Sequence, residues 1–442
     1  MSLTSAPARL LALLLATLAP SAVTTAQTRP VVEQTALTAS LETAPRVELA
    51  RAEADLIAQQ RRQLQSESGW QAFGAITAGR LNEIEANGGN RRYDQLQGDI
   101  GLSHPLLGSV DARKSRLLEL ERARLRAQGE TRATTRAVAV ELRRLYAGYW
   151  VSEQRIRRAA RWQRRLETRL ESLRGQVGGT LRASEFAEVQ AALREAREDG
   201  RQARYRQAMQ RGEMQALLGR EVGAFEPRWP VADGICRRQA VLFEAALQAD
   251  PTILAARREL ALLLDRGEAG LTREIDSSLV ITHSQTVEAW DERGDASRIG
   301  LTAEIPLRLG AARDARRDLR NAEVLQLQRR LEAARAALRG RIGVSLGDLR
   351  QASAARRAAA AQLTQARADW REAQRRLEAG LERSPMPALR AGLRWYRRGD
   401  ERLRREADWL TARAPLAALE TPGCGTQRPA PMDLTDEEAA AS

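Results

Sequence analysis

The chain has 442 residues, 71 Lys+Arg against 57 Asp+Glu for a formal net charge of +14, and 43% hydrophobic but only 4% aromatic residues. That balance describes a helix-rich, heavily solvated protein and excludes one built around a single large packed core. The charge is nearly all arginine, with Lys114 as the lysine, and it is spread among glutamates along helical stretches, the pattern of a solvated face and not of a nucleic-acid stripe.

The first 26 residues hold Arg9, an apolar run Leu10 to Leu18, and small residues ending in Thr24, Thr25 and Ala26. They read as a secretory signal peptide, 1–26, cleaved near Ala26, with no cysteine there for an N-terminal lipid. The apolar run is too short to stay as a bilayer span, and nothing later approaches about 18 uncharged apolar residues. Length alone suggests about three domains, but a duplication overrides that count. The first structural repeat is 27–230, the second 231–420, and the Pro-, Gly- and acid-rich 421–442 is an expected disordered tail.

Each repeat opens on a helix, 31–65 broken at Ala44 and Pro45, and 241–271 broken at Asp250 and Pro251. A hairpin follows. Its strands are predicted at about 69–81 and 93–104 in the first repeat and 275–287 and 297–305 in the second, with polar turns at Asn82 to Arg92 and around Gly294. Ile299, Leu301, Ala303 and Ile305 alternate with Arg298, Gly300, Thr302 and Glu304 before Pro306; Gly98, Ile100 and Leu102 alternate with Gln97, Asp99 and Ser103 before Pro105. This is period-2 strand patterning, and the shift from Pro105 to Pro306 (306 − 105 = 201) superposes both copies. The alternation predicts a lipid-facing set, Ile299, Leu301, Ala303, Ile100 and Leu102, and a lumen-facing set, Arg298, Thr302, Glu304, Gln97 and Asp99. Each strand, at about ten residues and about 3.3 Å per residue, is long enough to cross a bilayer, but four are too few to close a barrel.

Beyond each proline lies a very long amphipathic helix, 107–174 and 307–377. Leu142, Leu145, Tyr149 and Ile156 in one, and Leu363, Ala366, Trp370, Ala373 and Leu377 in the other, keep helical spacing. A continuous helix over 112–173 is on the order of 90 Å long, which no compact domain can bury. Both break at a shared spacing, Arg174 to Gly178 and Arg376 to Gly380, and return helices follow at 184–218 and 385–419, with Ser184 and Ser384 as expected N-caps. Gly178 permits the turn between helices; no preceding strand or Gly-Lys-Ser/Thr makes it a phosphate loop.

The duplicated plan, Ile305, Pro306 and Leu307 with Gly310 following, the tip Arg376 to Gly380 and the terminator Leu217, Leu218, Gly219 resemble TolC-type outer membrane efflux proteins, the outer membrane factor family, over about residues 30 to 420. The resemblance implies a mainly α fold with a membrane β-barrel: a homotrimer giving a 12-stranded barrel in outer membrane lipid and an α-helical periplasmic tunnel. It implies a passive duct for small molecules in a tripartite efflux system, partnered by a periplasmic adaptor (membrane fusion) protein and an inner membrane transporter, with no enzymatic step and no cofactor. Arg174, Gly178, Arg376 and Gly380 become candidate adaptor-contact tips. A type I protein secretion duct is the alternative within this class, and a periplasmic adaptor or coiled-coil scaffold the alternative outside it. The two repeat exits carry Cys236 and Cys424, an expected disulfide in an oxidising compartment.

No catalytic or metal constellation accompanies these features. His104 and His283, both in predicted strands, lack metal-ligand spacing, and five methionines and two cysteines give no soft-metal cluster. Trp70, Phe73, Tyr93 and Trp290 flank the strands, either as aromatic girdles or as turn anchors.

Overall fold

The computed structural model describes residues 30–66, 70–84, 90–107, 109–174, 182–230, 239–265, 276–288, 292–304 and 309–419. The signal peptide, Cys236, Cys424 and Gly178 lie outside these residues. Among the described residues no helix is long and apolar enough to cross a membrane.

The chain does not begin with a helix at residue 31. Val31–Val32 (β1), two β-branched residues suited to extended backbone, pairs in parallel with Glu226–Pro227 (β4). Gln34–Thr38 (α1) and a 3-10 turn, Leu41–Thr43, follow. Ala44 is extended, φ −67 and ψ 134, as the residue before a proline must be. Pro45 then opens Pro45–Ser66 (α2) at the position where a missing N–H costs nothing. The second repeat breaks at the same place, between Gln239–Ala249 (α5) and Pro251–Asp265 (α6). There Asp250 Oδ1 accepts the N–H groups of Thr252 and Ile253, both at 3.1 Å, an N-cap ahead of another first-turn proline.

Four strands form one antiparallel sheet in the order β2-β3-β5-β6: Gln71–Ile84 (β2), Asn90–Leu107 (β3), Asp276–Glu288 (β5) and Glu292–Glu304 (β6). Two sequence expectations need correction. Pro105 does not end β3, which runs to Leu107 with its register shifting between Pro105 and Leu107. A proline has no N–H for the ladder and is tolerated where pairing is irregular or absent. Here β2 has already ended opposite Ser103. The hairpin turns are also tighter than predicted, since Ile84 pairs with Asn90 and Glu288 with Glu292, and Gly294 sits inside β6 opposite Thr286.

The body is helical: Ser109–Arg174 (α3, 66 residues), Ala183–Leu218 (α4), Leu309–Glu378 (α7, 70 residues) and Met386–Ala417 (α8). Helix α3 pairs with α4 and α7 with α8, while α3 against α8 joins the two hairpins. The return helices start off their expected serines. Helix α4 begins at Ala183, where Glu185 reaches back to accept the Arg182 N–H at 3.0 Å. Helix α8 has Pro385 as N-cap, with Ser384 Oγ accepting the Met386 N–H at 3.3 Å. The far end of α4 is closed by Gly219 at φ 65, where a Cβ would also stand 2.5 Å from Pro45 Cγ.

Four buried clusters are strung along this shaft instead of one core. Tyr146, Tyr149 and Phe225 anchor the β1–β4 level. There the Tyr146 hydroxyl donates to the Val32 and Arg228 carbonyls at 2.8 and 3.0 Å, and burial pushes its pKa up. Leu242, Ile253, Leu338 and Ile342 form the equivalent in the second repeat. The repeats meet in register: Arg122 bonds Glu323, 201 residues away, at 2.9 Å, and Arg390 and Arg397 bond Glu188 and Glu195, each 202 residues away. Two copies of one unit therefore lie side by side at matching heights.

Candidate functional site

A sheet that ends in two open edges and stands on helices this long directs attention to its two faces. Cross-strand register sorts them. Ile76, Gly98, Gln285 and Asp295 stand directly opposite one another on neighbouring strands, and so do Gly74, Ile100, His283 and Ser297, and Ala72, Leu102, Ile281 and Ile299. Ile100, Leu102, Ile299, Leu301 and Ala303 thus share one face, to which Ile76, Ile100 and Ile299 expose 83%, 71% and 75% of their surface. Gln97, Asp99, Arg298, Thr302 and Glu304 share the other with Thr282 and Ser284. On that polar face Gln97 donates to Asp99 at 2.8 Å. Three isoleucines so exposed on one face call for a partner medium or protein to cover them.

At the helix-proximal end of the apolar face, exposed Trp70 stacks obliquely on His104 with ring centroids 5.1 Å apart. Among the described residues no group of three His, Cys, Asp or Glu side chains could hold an ion.

At the opposite end of the shaft, Arg174 closes α3 and is exposed. Arg376 is exposed too, ion-paired with Glu372 at 3.2 Å. The Leu381 N–H donates to the Arg376 carbonyl at 2.9 Å and the Gly380 N–H to that of Leu377 at 3.1 Å. With Gly380 at φ 70 and open space where a Cβ would go, this is a Schellman helix end. Gly380 is required by its backbone conformation, and its neighbour Leu381 is left 76% exposed.

The sequence reading missed the structure just above the tips. Trp162, Trp370, Trp395 and Tyr396 converge there, with Trp370 on Trp395 at 4.7 Å and Trp162 on Tyr396 at 5.6 Å. The buried Arg158 guanidinium lies 4.4 Å over Trp395 and donates to its carbonyl at 3.0 Å. It fits because α8 has no side chain at Gly399, where a Cβ would fall 1.9 Å from the guanidinium; the Trp162 ring fits because α8 has none at Gly392, where a Cβ would meet it at 2.8 Å. Nearby, Arg155 grips Asp400 at 2.5 and 3.1 Å, and Tyr396 donates to Asp199 at 3.0 Å. Burial pushes the Asp199 carboxyl up against that hydrogen bond, helped by Asp400 and Glu195. Two glycines seven apart on one helix face were the available signal, because each costs about 1 kcal/mol in a helix unless packing needs it.

No family model matches the sequence, and no curated protein matches it. Solved structures do. The chain is similar to CusC, in crystal structures concerned with transmembrane channel formation, with a TM-score of 0.66, 14% identity, and coverage of 88% of this chain and 92% of that one. The open MtrE outer membrane channel of Neisseria gonorrhoeae gives 0.62 and 16%, covering 87% and 88%. The outer membrane protein VceC of Vibrio cholerae gives 0.62 and 13%, covering 87% and 95%. This is the fold of an outer membrane channel. The likeness spans nearly the full length of each, so sheet and helical shaft belong to one architecture, and an adaptor's plan of compact β-rich domains flanking a single hairpin is not what the described residues adopt.

Proposed function

We propose that the chain is one subunit of a homotrimeric outer membrane channel, a passive export duct for small molecules handed over by a periplasmic adaptor and an inner membrane transporter. The observation that carries this reading is the four-stranded sheet with an exposed apolar face and unpaired edges at β2 and β6. An open edge invites pairing with another chain, and a bilayer tolerates strands only in a closed barrel. Copies joined β6 to β2 close the sheet, and three copies give twelve strands. The apolar face then meets lipid, with Ile100, Leu102, Ile299, Leu301 and Ala303 outward. The polar face, with Gln97, Asp99, Arg298, Thr302 and Glu304, lines the lumen. The shaft extends on the order of 100 Å from the membrane as the wall of a tunnel. No chemistry on the cargo is required, and transport energy comes from the partner.

The test is fractionation followed by conductance. The protein should remain in the outer membrane fraction after carbonate, cross-link as a trimer, and conduct in planar bilayers. Release by carbonate as a soluble monomer would end this reading.

A further inference from the structure

We infer that the outer side of α7 seats α2 and α4 of the next copy, closing the helical shaft between copies with Tyr205 and Met209 as the inserted ridge; this rests on the homotrimer reading above. Gly340, Val344, Gly347, Gln351, Ala354 and Ala358 recur along α7 at alternating spacings of four and three, and all are exposed. That spacing is the seam of a coiled coil. It carries no charge, although Arg350 and Arg357 fall beside it. Gly340 and Gly347 repeat the interval of Gly392 and Gly399 on α8, where the missing side chains admit Trp162 and Arg158.

The internal duplication contains the covered version of this face. Buried positions of α3 and α7 coincide at a shift of 200 (338 − 138 = 200): Val138 with Leu338, Leu142 with Ile342, Tyr146 with Leu346 and Ala159 with Ala359. At that shift Gly347, Gln351 and Ala358 correspond to Ala147, Val151 and Arg158. Those three are buried, because α8 lies on them: Ala147 and Val151 cluster with Leu403 and Leu410, and Arg158 lies over Trp395. One long helix is thus covered by the return helix of the other repeat, while the second long helix presents the same face bare. Continuing the alternation places α4 of another copy on it, a head-to-tail contact that closes into a ring.

Helix α4 has the shape for that seat. Tyr205 and Met209 are 75% and 57% exposed, large side chains suited to a groove of small ones. Ser152 of α3 donates to Gln210 at 3.0 Å and corresponds to Ala352 on α7 (152 + 200 = 352), so Tyr205 stands level with Ala354 and Ala358. Beyond the end of α4, exposed Leu49 and Leu56 of α2 continue the ridge. The sheet leads to the same pairing, since β2 follows α2 and β6 precedes α7, and joining β6 to the next β2 brings these helices together. The two seams differ in chemistry. Within the chain the long helix inserts Arg158 and Trp162 into glycines of the return helix; between copies the return helix inserts Tyr205 among small residues of the long one. Pairing two first repeats would set Arg158 against Tyr205, bulk against bulk, so the order of repeats around the ring is fixed.

The test places photoreactive benzoylphenylalanine at Tyr205 of the full-length chain, keeping an exposed aromatic there, and irradiates the outer membrane fraction. Adducts of dimer and trimer mass are expected, with the linked peptides mapping to residues 340–358. Adducts confined to one chain, to another helix or to a different protein overturn the seam. A second measurement oxidises Tyr205→Cys combined with Ala354→Cys: the pair should migrate mainly as a disulfide-linked trimer on a non-reducing denaturing gel, while the wild type and each single variant remain monomeric. Absence of both links in a protein that still cross-links chemically as a trimer and conducts overturns the seam and leaves the barrel standing. A wild type that is monomeric in the membrane overturns both.

Discussion

Single ionic contacts carry different weights here because their burial differs. Glu259, almost wholly buried on α6, accepts Arg122 Nε and Arg126 Nε at 2.9 Å each, and Arg122 continues to Glu323. Burial alone would raise the Glu259 pKa, but the two guanidinium hydrogen bonds outweigh it and hold the carboxyl below its ordinary 4.5. A depressed acid pKa contributes stability that is complete above the ordinary value and is lost as pH falls through the folded one. Glu259→Gln is therefore expected to lower stability at neutral pH by about 1–3 kcal/mol, leaving the part-buried Arg122 with Glu323 as its carboxylate partner. It should also flatten the wild-type loss of stability just below pH 4.5. Helical circular dichroism during thermal unfolding at several pH values measures both. Arg390 with Glu188 and Arg397 with Glu195, by contrast, are half exposed, and breaking either should cost little, because solvent screens them. Glu406 behaves oppositely to Glu259: burial raises its pKa despite Arg356 at 2.7 Å, so its own contribution favours folding more as pH falls.

Among the elements, α8 is the one shaped by what it lacks. Adding a methyl at Gly399 forces the Arg158 guanidinium away from Trp395 and from two backbone carbonyls. Gly399→Ala should therefore destabilise by about 1–3 kcal/mol, although alanine is the better helix former. Gly212 on α4 has nothing within 4 Å of its Cβ position, so Gly212→Ala should stabilise, and comparing the two by thermal unfolding separates packing from propensity. The strands make a second contrast. Arginine at Ile299, on the exposed apolar face, should cost about 2–4 kcal/mol if that position lies near the bilayer midplane. Arginine at Thr302, on the polar face, should leave folding intact and change single-channel conductance. Equal damage at both positions would refute the assignment of faces. These elements were legible in sequence to the extent that their signals were local. Proline, alternation and a 201-residue shift located the strands and long helices. The extra reach of β3 past Pro105 and of β6 through Gly294 depends on cross-strand partners that no local pattern contains. The Trp162, Trp370, Trp395 cluster draws on three helices, so only the paired glycines of α8 hinted at it.

For the molecule as a whole, the shaft places its two extremes in different environments, and the tip prediction belongs to that scale. Arg174 and Arg376 sit at the ends of α3 and α7, both exposed, with Arg376 paired across one helical turn to Glu372. The Arg376 side chain is not needed to end its helix, since the Schellman bonds use its carbonyl and the glycine φ. A groove beside Arg376, lined by Arg165, Arg169, Trp370, Gln374, Leu377, Glu378 and Leu389, mixes apolar side chains with charges of both signs. Exposed Leu381 adds apolar surface at the extreme end. On the proposed reading these ends meet the adaptor, and charge at the rim of an interface sets partner choice and association rate more than subunit folding. Arg174→Glu with Arg376→Glu should therefore leave trimer yield, carbonate resistance and planar-bilayer conductance unchanged while abolishing export in cells and adaptor co-purification. Gly380→Ala makes the complementary control. It keeps both arginines but strains the helix end by on the order of 1 kcal/mol, so a loss of export with it alone would assign the tip a conformational role instead of a charge-reading one. Normal export in the double arginine variant would remove adaptor docking from these two residues.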